Sequence, residues 1–131
     1  MLNLRVKVLE RHLDYMGWLI EVLKDDEIEG DMKQVYFSIS KPGAIRGNHF
    51  HKRKVEWFSV VKGTARLVAR DNDSGEERDL ALSDVDITTV RIPPNVQHAI
   101  RAEGTEDMYL IVIADEVFNP RDPDTYEAHL L

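Results

Sequence analysis

The sequence predicts an all-β fold, an antiparallel sandwich or barrel of jelly-roll type. Short segments rich in β-branched, aromatic and aliphatic residues recur along the chain. Clusters of Gly, Pro, Asn and Asp separate them, which is the chemistry of chain reversal. No stretch of helical period intervenes between these segments, so neighbouring strands return directly on one another.

Taken in order, the strand segments fall near 4–9 (LRVKVL), 18–23 (WLIEVL), 34–40 (QVYFSIS), 56–61 (EWFSVV), 64–70 (TARLVAR), 76–82 (EERDLAL), 87–92 (ITTVRI), 97–102 (QHAIRA) and 108–114 (MYLIVIA). The reversals are KPG at 41–43, KG at 62–63, DNDSG at 71–75, PPN at 93–95 and EGTED at 103–107. A weak helical pattern begins at residue 119, in NPRDPDTYEAHLL. Alternation assigns the faces. Ala65, Leu67 and Ala69 face inward, opposite Thr64, Arg66 and Arg70. Glu56 shares its face with Phe58 and Val60, and His98 shares its face with Ile100 and Ala102. An acid and a histidine thus fall on apolar faces, where an unpaired polar group costs several kcal/mol. They need partners. His49 and His51, two residues apart in GNHFHKRKVE (47–56), can supply them.

Composition narrows the function classes. A chain of 131 residues is the size of one domain. It has no cysteine, which excludes disulfides and thiolate metal sites and suits a reducing cytoplasm. Any metal must sit on His, Asp or Glu. The net charge of −7 argues against nucleic acid or an anionic membrane as the main partner. No apolar run reaches the ~20 residues of a membrane helix, and the first residues, MLNLRVKVLERHLD, are too charged for a signal peptide. An anionic small molecule remains compatible with the local cations.

Gly43, five residues, His49-x-His51, four residues, Glu56, six residues and Gly63 reproduce the first motif of the cupins. Pro93, Asn95 and His98 resemble the second motif. Asn95 stands there where glycine is usual, and Ala102 where asparagine is usual; asparagine tolerates positive φ, so the turn survives. The resemblance covers about 35–115 and implies one cupin domain over 1–131, with N-terminal strands over 1–34 and a short tail at 116–131. It implies that His49, His51, Glu56 and His98 are ligands of a divalent metal. Three imidazoles and a carboxylate suit Zn, Fe, Mn or Ni, with zinc the expected ion.

RGNHFH (46–51) resembles the R-G-x-H segment of the RmlC-like nucleotide-sugar epimerases and ketoisomerases. DYMGWLIEVL (14–23) resembles their D-x-R-G-x-x-x-E segment, with Met16 in place of arginine. SKPGAIRGNHFHKRKVEWFSVVKG (40–63), IPPNVQHAI (92–100) and ADEVFNPRDPDTYEA (114–128) resemble the C-terminal cupin domain of capsular-polysaccharide reductases that act on UDP-4-keto-6-deoxy sugars. That resemblance implies a cytoplasmic isomerase that epimerises C3 of an NDP-4-keto-6-deoxyhexose through an enolate. It further implies a homodimer, a separate reductase in the same pathway, and no nicotinamide or flavin. Alternatives are a dTDP-sugar 3,4-ketoisomerase, a metal-dependent dioxygenase and a non-catalytic sugar-binding cupin. The lysine and the catalytic tyrosine of the rhamnose-pathway epimerases are absent, and Glu56 places the chain with the metal-type branch.

Within this reading His49 and His51 are catalytic candidates as well as ligands. One imidazole cannot serve comfortably as both ligand and base. Tyr36 is either a second acid/base or an ordinary strand tyrosine. Arg46 offers a planar fork for a diphosphate, and Lys54 belongs with it as a substrate-binding candidate. Lys52, Arg53 and Lys54 either steer an anionic substrate or form a solvated turn. Trp57 and Trp18 either stack on a base or pack in the core or an interface. Asp122 and Asp124 read as turn formers.

Overall fold

The structure, a computed structural model, describes residues 2–28 and 30–131, so Met1 and Glu29 of the expected N-terminal region lie outside the described residues, as does the Asp25 side chain. Twelve strands succeed one another: β1 Arg5–Val8, β2 His12–Asp14, β3 Gly17–Leu19, β4 Gln34–Ser40, β5 Ile45–Phe50, β6 Glu56–Lys62, β7 Thr64–Asp71, β8 Glu77–Ser83, β9 Thr88–Ile92, β10 Val96–Glu103, β11 Met108–Ala114 and β12 Tyr126–Glu127. Among the described residues a single 3-10 turn spans Asp25–Glu27. Two five-stranded sheets run β1-β9-β6-β11-β4 and β12-β5-β10-β7-β8, and β2 and β3 form a separate hairpin. All pairings are antiparallel. This is the expected cupin jelly roll.

The inward faces meet as alternation requires. Phe58 and Val60 from β6, Ala65, Leu67 and Ala69 from β7, Ile100 and Ala102 from β10, and Leu110 and Val112 from β11 form one core cluster. Each large side chain buried there contributes about 1.5–3 kcal/mol, so β6, β7, β10 and β11 make a stiff frame. Glu56 and His98 hang from that frame at one end.

Three elements differ from the expected pattern. The strand expected over 18–23 stops at Leu19. Val22 and Leu23 instead pack with Ile28 over Trp57 and Ile113, on the outer face of the first sheet. The Val22 carbonyl accepts a hydrogen bond from Thr89 Oγ1 at 2.7 Å, so this apolar run is a cover and not a ladder. The helical pattern from residue 119 is not a helix. Asp122 N donates to the Asn119 carbonyl in a turn, Asp124 takes a left-handed φ of 45°, and β12 then pairs with β5. Pro120 and Pro123 explain this, since neither fits a helix interior. Strand β5 had no strand signal because Gly47 and Asn48 both have positive φ, 87° and 56°. Such residues read as a turn.

Candidate functional site

The candidate site begins with that irregular strand. On β10, His98 is opposite His49 and Ala99 is opposite Gly47, which leaves Asn48 as the extra residue of a bulge. The bulge re-aims the side chains beyond it. Glycine is required at 47 twice over: a Cβ there would lie 2.9 Å from the His98 carbonyl oxygen, and the backbone is left-handed. His49 ends up across from His98, and His51 lies just past the end of β5. The chain turns through 52–55 and enters β6 at Glu56. His49 and His98 therefore come from the second sheet, His51 from the turn just beyond β5, and Glu56 from the first sheet.

The four side chains converge. Each offers a ligand atom, and these atoms all lie within 4.8 Å of one another. His51 Nε2 stands 2.8 Å from Glu56 Oε1, and His98 Nε2 stands 3.2 Å from the same oxygen. His51, Glu56 and His98 are buried, and His49 is half-buried. The His49 ring centroid lies 4.8 Å from those of His51 and of His98, and Phe58 meets the edge of His98 at 5.5 Å. The other ring nitrogens are fixed by carbonyls. His51 Nδ1 donates to the Asp124 carbonyl at 2.7 Å, and His98 Nδ1 to the Val96 carbonyl at 3.0 Å.

Electrostatics follow from this packing. Burial, together with the His98 and His51 rings, pushes His49 down to about 4, so it is neutral at physiological pH. Burial alone would also lower His51, but the hydrogen bond to Glu56 and its charge raise it above the ordinary histidine value. Burial works to raise Glu56, but the His51 and His98 imidazoles hold it well below the usual carboxylate range. Without a cation, His51 must carry both protons to face a carboxylate and a carbonyl at once.

The donor set fits a divalent metal. Two carbonyls hold the Nδ1 protons of His51 and His98, which leaves both Nε2 atoms on the side of Glu56. That is the arrangement outer hydrogen bonds give to metal-bound histidines. His98 Nε2 is buried and makes no hydrogen bond among the described residues, despite its nearness to Glu56. A buried nitrogen aimed at a carboxylate without a shared proton is an orphan that a cation between them would satisfy. Ligands about 2.0–2.2 Å from one ion lie roughly 3–4 Å apart, a spacing this cluster approaches.

A cavity of about 340 Å³ opens on the cluster, lined by Gln34, Tyr36, His49, His51, Lys54, Glu56, Ala114, Phe118 and Thr125. Tyr36 therefore stands in the candidate site. Burial and the Glu56 carboxylate push its phenol upward, so it stays protonated at neutral pH. Lys54 is buried and lines the same wall, with its Nζ 5.9 Å from the Phe118 ring. Arg46 lies on β5, exposed and outside the lining of this cavity. Its Nε donates to Ser40 Oγ at 2.5 Å and one Nη to the Ile39 carbonyl at 3.1 Å. Lys52 and Arg53 point elsewhere: Lys52 sits 4.3 Å over Tyr126, and Arg53 pairs with Glu116 and Asp122. Both tryptophans lie outside the cavity. Trp57 is buried on the outer sheet face, and Trp18 stacks under the Arg11 guanidinium at 4.3 Å.

Two residues matter more than their sequence signals suggested. Asn95 adopts the φ of 65° expected for the position where glycine is usual, and its N–H donates to the His51 carbonyl at 2.6 Å. It thereby ties the second motif to the first. Asp124, read as a turn former, is 3 % exposed and touches the site directly. A Pro-Asp pair in a polar tail carried no signal for this.

The family model described as the polysaccharide biosynthesis C-terminal domain matches residues 12–126. The chain is 36 % identical over 115 residues to UDP-2-acetamido-2,6-beta-L-arabino-hexul-4-ose reductase of Pseudomonas aeruginosa, covering 88 % of this chain and 30 % of that one. It is 29 % identical over 130 residues to the Haloferax volcanii protein named probable low-salt glycan biosynthesis epimerase, covering 93 % and 83 %. Among solved structures it is similar to the capsular polysaccharide assembling protein CapF of Staphylococcus aureus, at 34 % identity and a TM-score of 0.73, covering 93 % of this chain and 34 % of that one. The chain thus spans about a third of the length of the Pseudomonas and Staphylococcus proteins.

Proposed function

Because this chain belongs to the polysaccharide biosynthesis C-terminal domain family, we propose that it is an isomerase that epimerises C3 of an NDP-4-keto-6-deoxyhexose. The observation that carries the reading is the convergence of His49, His51, Glu56 and His98 at the base of a cavity that also holds Tyr36 and Lys54. One relative named for a UDP-hexulose and another named for glycan biosynthesis support a nucleotide-sugar substrate.

Epimerisation beside a ketone removes the C3 proton, moves that bond's electrons into an enolate, and returns a proton to the opposite face. A divalent metal, zinc in this proposal, held by His49, His51, Glu56 and His98, would supply Lewis acidity toward the C4 oxygen. Lys54 brings positive charge to the cavity wall, which lowers the energy of the enolate. Tyr36, kept protonated, is the donor that returns a proton. His49 is neutral and faces the cavity, so it has the lone pair a base needs. The same lone pair makes it a ligand, so in the proton-transfer step His49 takes the C3 proton while His51, Glu56 and His98 would hold the metal. The planar guanidinium of Arg46, on β5, is the group this proposal assigns to the diphosphate.

The proposal extends to a homodimer. β4 is an edge strand, and Val35, Phe37 and Ile39 on its outer side are 56 %, 53 % and 48 % exposed. An exposed apolar edge of this kind is ordinarily covered. Among the described residues no helix is long and apolar enough to cross a membrane. We place the reaction in the cytoplasm, with a separate reductase to act on its product. A neutral His49 and a protonated Tyr36 in one cavity equally suit a second reading, 3,4-ketoisomerisation of a dTDP-sugar, in which protons move between C3 and C4 and the carbonyl itself moves. Incubating zinc-loaded protein with UDP- and dTDP-4-keto-6-deoxy sugars in deuterium oxide, followed by NMR, tests both. Deuterium at C3 with an inverted centre supports the epimerase, a carbonyl shifted to C3 supports the ketoisomerase, and no exchange with either sugar refutes both.

A further inference from the structure

We infer that Asp124 is a positioning residue for the metal site, acting on His51 and on the turn that leads to Glu56. The inference rests on the reading of this cluster as a metal site, and it concerns a residue that no cupin motif contains.

Asp124 grips the site with both of its acceptor groups. Its backbone carbonyl takes the Nδ1 proton of His51 at 2.7 Å. Its carboxylate accepts three successive backbone N–H groups, from Lys52 at 2.9 Å, Arg53 at 3.0 Å and Lys54 at 3.1 Å. These amides belong to the turn between His51 and Glu56, so one residue fixes the ring of one ligand and the path to the next. The left-handed φ of 45° lets carbonyl and carboxylate point the same way. Three amides converging on an ionised carboxylate form a strong, charge-assisted anchor.

The tail is itself held in place. Tyr126 and Glu127 pair with Phe50 and His49 on β5, and the Tyr126 ring stacks on Phe50 at 5.3 Å. Beyond them, Ala128 N donates to the Asn48 carbonyl at 2.8 Å, and Leu130 N and Leu131 N donate to Asn48 Oδ1 at 2.9 and 3.2 Å. The bulge residue before His49 and the turn after His51 are thus both fastened to the same segment. A ligand histidine whose Nδ1 proton is held presents Nε2 to the metal in one tautomer and one orientation. When that hold is lost, the ring samples both tautomers.

The test compares wild-type protein with Asp124→Ala, Asp124→Asn and, as control, Asp122→Asn in the exposed part of the tail. Zinc affinity is measured by competition with a chromophoric chelator, and the His51 tautomer by imidazole nitrogen NMR of metal-free protein at alkaline pH. Asp124→Ala removes the carboxylate that anchors the 52–54 amides and disfavours the φ of 45°, so the carbonyl under His51 loses its placement. We expect a single Nδ1–H tautomer in wild type and a mixture in Asp124→Ala, with zinc affinity lowered about 10–100-fold. Asp124→Asn keeps an αL-compatible backbone and one acceptor oxygen, so it folds and recovers most of the affinity. Asp122→Asn matches wild type. Wild-type affinity in folded Asp124→Ala, or mixed tautomers in wild type, would overturn the inference. Wild type that binds no zinc yet holds a single His51 tautomer would sink the metal reading and leave the positioning role standing.

Discussion

The Nε2 of His98 stands 3.2 Å from Oε1 of Glu56, deep in the barrel, and makes no hydrogen bond among the described residues. Leaving such a nitrogen unsatisfied costs about 1–3 kcal/mol. A cation shared with Glu56 removes that cost. We therefore expect elemental analysis to find one zinc per chain, and His98→Ala to weaken binding by at least about a hundredfold. Zinc at about a hundred times its dissociation constant should stabilise the fold by about 2.7 kcal/mol, read as a higher Tm than in chelator-treated protein. A metal-free wild type with unchanged Tm in added zinc would refute the assignment.

Chelator-treated protein should lose stability in mild acid. The His49 pKa falls from 6.5 to about 4 in the fold. As pH drops through that window the unfolded chain binds a proton that the native state refuses, so unfolding becomes easier. Glu56, held below its ordinary 4.5, adds a loss in the same direction at lower pH. His51 has a raised pKa, so its contribution is complete below 6.5 and is lost only as pH rises through the folded value. Tm should thus fall from pH 6.5 toward 4, and His49→Asn should flatten that slope. An equally steep slope in His49→Asn would show that other groups cause it.

Gly47→Ala should destabilise the protein by about 2 kcal/mol through its left-handed backbone alone. The new Cβ would also press on the His98 carbonyl at 2.9 Å. The strand carrying one ligand would shift against the strand carrying another, so zinc affinity should drop together with Tm. Chemical denaturation and chelator competition on the same samples check this pairing. A change in Tm alone would mean that the bulge does not set the ligand geometry.

Tyr36→Phe removes only the hydroxyl from the cavity wall. If that hydroxyl returns the proton, turnover should fall about 10²–10⁴-fold, with zinc content and KM close to wild type. Deuterium wash-in measures the step directly. Undiminished exchange would make Tyr36 an ordinary strand tyrosine.

Phe37→Glu places a charge in the middle of the exposed apolar edge. Light scattering should show a dimer for the wild type and a monomer for the variant. A wild-type monomer would refute the dimer proposal.

Much of the fold was legible because alternation reports burial directly. The inward set of β7 and the polar pair Glu56 and His98 on apolar faces follow from period 2 alone. The ligand spacing was legible too, although the chain reaches it by a different route. His49 and His51 do not project from a regular strand; a bulge at Asn48 and the strand end between them produce the convergence. The run over 20–23 was misread because apolar residues that cover a sheet from outside resemble those that pair within it. Asp124 left no trace, since its role depends on contacts 70 to 73 residues away in sequence.

His49 and His98 belong to one sheet and Glu56 to the other, His51 lies in the turn between them, and the residue that steadies His51 arrives only at position 124. On a ribosome the site therefore cannot exist piecemeal. Residues 49–56 emerge first with no counterpart, His98 comes far later, and Asp124 later still. A metal held by these four residues would therefore be loaded only after His98 has left the exit tunnel, and the site would be steadied once Asp124 has followed.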